Sequence, residues 1–363
     1  MQDCQIAYST SRRPIMQAIR IVHLFSGTIG LIVSTIFIAV LCSRSSRNIH
    51  VNMRLSLISM TVAAWVACFQ LSFIASYNLI NLLSNDEPCS ALTNAYWCAT
   101  ARYPIVLAIY STLIAIIVIA IERTIATIKY RTYEVHGSRC VAISLISAQW
   151  FLSILLASSS TYARTDSGYL HHCSVYISHP KSAVISLSTM SVLEIFTLFF
   201  LVLLQHRNEQ KQIREFVNNA MHTLTERYQL QENVKIMRVI IPSIAVHTVL
   251  SLCGVISMLV FTLLTGPDEY GMSAKFAPFS ETVLLVVPLH SVVFPLVAIL
   301  KNKQLRHATG RVLPWLFPYN KRRNIVELSE SSPESGPLTS RFSAQVDKDG
   351  DVHFNMLNEM WKK

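Results

Sequence analysis

Seven stretches of the chain carry almost no charge: Ile21 to Leu41, Leu55 to Leu79, Tyr103 to Ile121, Val141 to Ser160, Ala183 to Leu204, Val239 to Leu264, and Thr282 to Leu300. They are 19 to 26 residues long. A helix that crosses a bilayer needs about 17 to 25 apolar residues, so each stretch predicts one transmembrane helix, the longer ones tilted. Helices buried in a soluble core would be shorter and apolar on one side only. The pattern predicts an all-α membrane protein with seven spans.

Composition agrees. The 363 residues are 52% hydrophobic and 14% charged, with mean hydropathy +0.40, where soluble domains carry about 25% charge. The net charge of +10 could suggest nucleic acid, but its distribution excludes that reading. With the N-terminus outside, 24 Lys and Arg fall on the inner side and 7 on the outer. That asymmetry fixes the orientation by the positive-inside rule, although the first helix alone does not, having three arginines on each side.

Residues 1–20 are too few to fold as a ligand-binding domain, so any ligand site is expected among the helices of residues 21–300. The first apolar run has no small-residue cleavage site after a short core and is read as an uncleaved span. Beyond the seventh stretch, residues 301–318 set Leu305, Val312, Leu313 and Leu316 against Lys303, Arg306 and Arg311. That alternation predicts a short amphipathic helix on the inner membrane surface, broken at Pro314. Residues 319–363 include ELSESSPESGPLTS and read as a disordered cytoplasmic tail.

The third stretch has the most informative ends. Cys98 stands 25 residues before Arg123, a helical separation of roughly 37 Å that places one at each membrane face. Glu122 and Arg123 close the apolar run at the inner side. The plain alternative is a span whose charged ends snorkel. Four cysteines are assigned outside: Cys4, Cys89, Cys98 and Cys173. They allow three pairings, and we prefer Cys98 with Cys173, leaving Cys4 with Cys89. Cys42, Cys68, Cys140 and Cys253 lie in or beside spans and read as small buried residues. His171-His172 falls in an outer loop and reads as solvated.

Between the fifth and sixth stretches, TERYQLQENVKIMR (Thr225 to Arg238) combines helix formers with Glu-Lys spacing. It predicts a sixth helix that begins well inside the cytoplasm. Glu194 is the one formally charged residue within the seven stretches. A central acid costs about 2.5 to 3.5 kcal/mol there, so it should face the bundle interior and find a partner or be protonated. Ser188, Ser191 and Thr197 continue its face. Ser243, His247 and Ser251 recur every four residues on the sixth helix, and His290 lies mid-way along the seventh. Glu194 with His247 or His290 is therefore a candidate polar centre, contacting ligand, linking helix movement to it, or serving only as a structural hydrogen-bond network.

A cysteine at the outer end of a third span and an acid-Arg pair at its inner end resemble the G-protein-coupled receptor pattern. With IERTIATIKYRTYE (Ile121 to Glu134) and RYQLQENVKIMR (Arg227 to Arg238), the chain resembles the nematode serpentine chemoreceptors of the Sra superfamily, most of all the alpha-beta class, Srab. The epsilon class is a near neighbour. The resemblance covers roughly residues 15–310. It implies a seven-helix bundle of receptor type that binds an environmental or pheromone-like small molecule and activates a heterotrimeric G protein. Glu122, Arg123, Lys235 and Arg238 would serve coupling, Arg123 being held at rest by Glu122 or by a sixth-helix acid such as Glu232. Cys98 and Cys173 would form the outer disulfide, and arrestin-type regulators would meet the tail. The implied location is the plasma membrane, in cilia of chemosensory neurons. Two departures matter: Phe294-Pro295-Leu296-Val297-Ala298 keeps only the proline of Asn-Pro-x-x-Tyr, and the sixth helix lacks Cys-Trp-x-Pro, with its proline early at Pro242.

A transporter or ion channel is the alternative, but it would need several intramembrane ionisable residues and repeated halves, against which seven unlike spans stand. A membrane hydrolase or desaturase needs clustered metal ligands, and no His-x-x-x-His pair lies within any span. The chain is read as having no enzymatic activity and no cofactor.

Overall fold

The computed structural model describes residues 2–43, 46, 49–84, 87–128, 139–162, 168–173, 180–217, 224–265 and 272–313. Among these, seven helices are long and apolar enough to cross a membrane. They are α2 (Pro14–Cys42), α3 (Val51–Ser84), α4 (Ala95–Ile128), α5 (Arg139–Tyr162), α6 (Pro180–Val217), α7 (Leu224–Thr265) and a seventh span in two pieces, α8 (Met272–Val283) and α9 (Val286–Lys301). A short helix, α1 (Gln2–Ser11), precedes them and another, α10 (Lys303–Val312), follows. Each spanning helix continues past its charge-free stretch, because backbone hydrogen bonds favour helix continuation wherever no breaker intervenes. The first spanning helix begins at Pro14, where proline suits the first turn. The sixth, α7, starts at Leu224, well before its apolar part.

The third span, α4, is the most buried and packs against α3, α5, α6 and α7. Its residues Ile116 and Ile119 join Phe37, Met60, Met237 and Phe294 in the main apolar core, toward the Arg123 end. Polar side chains stitch neighbouring spans where apolar packing gives no direction. Gln149 of α5 donates to the Ser111 hydroxyl of α4 at 2.9 Å, while the Ser59 hydroxyl of α3 donates to the Gln149 carbonyl at 3.3 Å. Helices α2 and α3 approach closely at two glycines. A Cβ on Gly27 would meet Ser72 Oγ and lie 3.1 Å from the Cys68 carbonyl, and one on Gly30 would lie 2.6 Å from Cys68 Sγ. Small residues let membrane helices gain dispersion contacts in this way.

The seventh span differs from its expectation as one helix over 282–300. It is interrupted at Leu284 and Leu285, and Pro288 explains why. Proline has no N–H for the Leu284 carbonyl, which is taken instead by the Val287 N–H at 3.1 Å in a tighter turn. The α10 segment is fixed by Asn302, whose side chain caps the N–H groups of Gln304 (2.9 Å) and Leu305 (3.4 Å). Leu305 and Ala308 are fully buried against α2 and α9, so this helix docks on the bundle as well as being amphipathic. The Pro314 break and the tail from residue 319 lie outside the described residues.

Two disulfides sit together at one end. Cys98 of α4 is bonded to Cys173, and Cys4 of α1 to Cys89 in a short 3-10 helix, Pro88–Ala91. Between them β1 (Thr93–Asn94) pairs antiparallel with β2 (Tyr169–Leu170). Residues 1–20, too few to fold as a ligand-binding domain, therefore contain a helix tethered to the loop before the third span. Of the remaining cysteines only Cys68 is buried. Cys42, Cys140 and Cys253 are exposed on the bundle's outer surface, contrary to the expectation that all four are buried.

Candidate functional site

Three polar sites are built at three depths. At the end opposite the disulfides, Arg123 is 1% exposed and Glu122 fully buried. Arg123 donates from Nε and Nη2 to the two carboxylate oxygens of Glu122, at 2.5 and 2.6 Å, and from Nη1 to Asn233 Oδ1 of α7 at 3.1 Å. Asn233 in turn donates to the Ala126 carbonyl. A forked guanidinium suits this arrangement, since it satisfies a carboxylate bidentately and still has a donor for a third group. Glu232, the acid considered for this role, is half-buried on the residue before Asn233. The network extends to the fifth span, where Asn208 donates to Thr127 Oγ1 at 3.0 Å, one turn beyond Arg123. Lys235 is exposed. Arg238, also exposed, donates to Glu209 at 3.0 Å, so part of its charge is already answered by α6.

At mid-depth Glu194 of α6 is 1% exposed and stands 2.9 Å from His247 Nδ1 of α7, in ion-pair contact but without hydrogen-bond alignment. The His247 ring meets His290 of α9 edge-on, with centroids 4.3 Å apart, and His290 lies 5.5 Å from the Phe294 ring. Glu194, His247 and His290 thus form one contiguous polar group across three helices. Ser191, His247, Ser251 and His290, with Thr112 and Ser291, border a cavity of about 100 Å³ that is otherwise lined by apolar residues such as Ile109 and Leu284. Thr197, by contrast, bonds back to the Leu193 carbonyl and is spent on its own helix.

The third site, at the disulfide end, was not anticipated. Glu281 of α8 is 5% exposed and is surrounded by cations and imidazoles from three other segments. Arg102 of α4 donates from Nη2 to its carboxylate and to the Cys173 carbonyl, the latter at 2.9 Å. His172 Nε2 meets Oε1 at 3.2 Å, so this histidine is buried on a carboxylate where the sequence reading had it solvated. His23 of α2 donates to the Glu281 backbone carbonyl at 2.9 Å and stands 3.6 Å from Oε2. Arg20, one turn before His23, is 7% exposed and lies in the same electrostatic field. Beside it is a cavity of about 290 Å³, lined by Arg20, Tyr8, Tyr77, Asn78, Trp97 and His172 among others. Glu194 is therefore not the lone charge within the bundle. Arg20, Arg102 and Glu281 each lie one residue outside a charge-free stretch, yet all three are buried.

Residues 1–315 match the family described as serpentine type 7TM GPCR receptor class ab chemoreceptor. The chain belongs to this family. It is 50% identical to serpentine receptor class alpha/beta-14 of Caenorhabditis elegans over 366 aligned residues, covering 99% of this chain and 93% of the relative. Two class epsilon receptors of the same organism are more distant. Class epsilon-21 is 25% identical over 89% of this chain and 80% of its own length, and class epsilon-32 is 22% identical over 69% and 62%. The chain is thus a multi-pass serpentine chemoreceptor of the G-protein-coupled receptor type, in a family of receptors and not of enzymes. For a class ab receptor, the three sites have distinct places: a clasp at the Arg123 end, a polar centre in the bundle, and an ionic cluster with a cavity at the disulfide end. The first two contain residues expected from the sequence. A charged residue at the very edge of each of three stretches was the available signal for the third.

Proposed function

We propose that this receptor sits in the plasma membrane with its N-terminus outside, binds an environmental or pheromone-like small molecule within residues 21–300, and activates a heterotrimeric G protein at the Arg123 end. Residues 301–318 then lie along the cytoplasmic membrane surface. The tail, 319–363, is where arrestin-type regulators would act, and cilia of chemosensory neurons are the expected location. The observation that carries the reading is the buried clasp of Arg123 on Glu122 and Asn233, which ties the third span to the sixth. A switch needs such an element with two discrete arrangements. Parting of α4 and α7 would free Arg123 for the tail helix of a Gα subunit, with Lys235 and Arg238 as electrostatic guides at the rim. Ligand is read at Glu194, His247 and His290, where three helices meet around a cavity. The Cys98–Cys173 bond keeps the outer loop over the bundle while the inner ends move.

Surface labelling of an N-terminal tag on intact cells tests the orientation, and labelling that requires permeabilisation would refute it. A screen of small molecules in cells carrying a promiscuous G protein and a calcium readout tests the activity. The expected result is a ligand response that Arg123→Ala abolishes. A full response by that variant would refute the assigned role.

A further inference from the structure

The ionic cluster at the disulfide end does not balance. Among the described residues it holds two guanidinium groups, Arg20 and Arg102, against the single carboxylate of Glu281. Whatever the charge of His23 and His172, an excess of at least one positive charge is buried. A buried charge without a partner is costly, far more so than a paired one. The donors are in excess as well. Arg102 Nε and Nη1 are buried with no hydrogen-bond partner among the described residues. Arg20 makes one hydrogen bond there, from Nη1 to the Ser11 carbonyl at 3.5 Å, the outer limit of such a bond. Arg20, unlike Arg102, lines the 290 Å³ cavity, and no Asp or Glu is found among the described lining residues. One wall is aromatic, with Tyr77 and Trp97 rings 5.2 Å apart, and the amides of Asn78, Asn81 and Asn94 line it elsewhere.

We propose that this cavity binds a small organic monoanion, a carboxylate, whose charged group pairs with Arg20 and whose body lies against Tyr77 and Trp97. One negative charge matches the excess, and a forked guanidinium matches a carboxylate. The aromatic wall favours an apolar portion, and the asparagines favour hydroxyl or carbonyl groups on it. The proposal rests on the reading of the chain as a ligand-gated receptor and names the chemistry of its ligand. The outer cavity is also joined to the inner one by packing. Glu281 lies one turn before the Leu284–Leu285 break, and Leu284 lines the inner cavity beside His247 and His290. Ile74 of the outer cavity and Leu284 of the inner belong to one apolar cluster, with Leu71 and Ile105.

The test uses the full-length receptor in lipid nanodiscs and a panel of short and medium-chain aliphatic and aryl carboxylates, each paired with its neutral primary amide. Saturation-transfer NMR and the thermal unfolding midpoint report binding. Carboxylates are expected to bind and to raise the midpoint, with their amides weaker by about tenfold or more, the loss expected for one charge-assisted bond. Arg20→Gln should remove that preference, and Arg20→Lys should keep part of it. No binding by any carboxylate, equal binding by the amides, or undiminished carboxylate binding by Arg20→Gln would each overturn the proposal. Should Arg20→Gln fail to fold, the wild-type comparison and Arg20→Lys decide the matter. Ligand-independent G-protein activation by the Glu122 and Arg123 variants is measured in parallel. If carboxylates fail to bind while those variants alter coupling, the anion site alone falls. If carboxylates bind as described and these variants leave G-protein activation no different from wild type, the receptor reading alone falls.

Discussion

Arg123 is clasped by the residue that precedes it. Its Nε and Nη2 donate to both carboxylate oxygens of Glu122, at 2.5 and 2.6 Å, and its remaining Nη1 reaches Asn233 on the sixth span. Adjacent helical residues do not normally face each other. Here both side chains are buried, and the forked guanidinium meets both oxygens of the carboxylate. The contact with Asn233 joins two spans, whereas Glu122 and Arg123 lie on the same helix.

Loss of one partner from the outer ionic cluster is expected to be severe. Glu281→Gln leaves Arg102 buried without its carboxylate, and breaking a buried pair in this way costs about 3 to 5 kcal/mol. Surface expression and the unfolding midpoint should both fall sharply. A wild-type midpoint for Glu281→Gln would show that Arg102 and Glu281 are not paired in the membrane.

The two disulfides close loops of 85 and 75 residues. Removing either is expected to cost about 2 to 5 kcal/mol. Cys98→Ser and Cys173→Ser should lower surface expression to the same degree, since they break one bond. Mass spectrometry of a non-reduced digest should show Cys98 linked to Cys173 and Cys4 linked to Cys89. Recovery of alkylated Cys98 as a free thiol would contradict the assignment.

Close packing of α2 on α3 gives a contrast between glycines. Gly27→Ala forces a methyl group against Ser72 Oγ and the Cys68 carbonyl, an overpacking penalty of about 1 to 3 kcal/mol. Gly254→Ala places its methyl 3.5 and 3.8 Å from Val283 and Val286 side-chain atoms, ordinary contact distances. Thermal unfolding in detergent should therefore distinguish the two, with Gly27→Ala destabilised and Gly254→Ala near wild type. Equal midpoints would refute the close approach at Gly27.

The helices were legible because bilayer thickness imposes a length on apolar runs, and seven such runs stand out. The same criterion hid the outer cluster. A stretch defined by absence of charge stops at Arg20, Arg102 and Glu281 by construction, so the buried ions of this cluster fell just outside the stretches. Asn233 escaped notice for a related reason: an uncharged polar residue among Glu232 and Lys235 has no signature until the third span is placed beside it. The break at Leu284 had a signal in Pro288, whose missing N–H cannot serve a continuous helix. Glu194, His247 and His290 could be grouped from depth and helical spacing, but which imidazole meets the carboxylate depends on helix rotation, which spacing alone leaves open.

At the polar centre, Glu194→Gln keeps the shape of the side chain and replaces the carboxyl group that faces His247 at 2.9 Å. If this group reads the ligand, Glu194→Gln and His290→Ala should alter coupling at normal surface level. Unchanged responses from both Glu194→Gln and Glu194→Ala, at normal expression, would count against a signalling role for these residues.

The clasp on Arg123 is tested most directly by ligand-independent G-protein activation, read by energy transfer between labelled Gα and Gβγ in cells matched for surface receptor. Asn233→Ala removes the described hydrogen bonds from the sixth span to Arg123 and to the Ala126 carbonyl while keeping both members of the Glu122–Arg123 pair. Loss of one such hydrogen bond to a charged group, about 1.5 to 3 kcal/mol, should raise the open population roughly tenfold or more. The expected result is elevated basal activation by Asn233→Ala that the added substitution Arg123→Ala returns to background. Basal activation equal to wild type in Asn233→Ala, or full activation persisting in the double variant, would contradict the role given to Arg123.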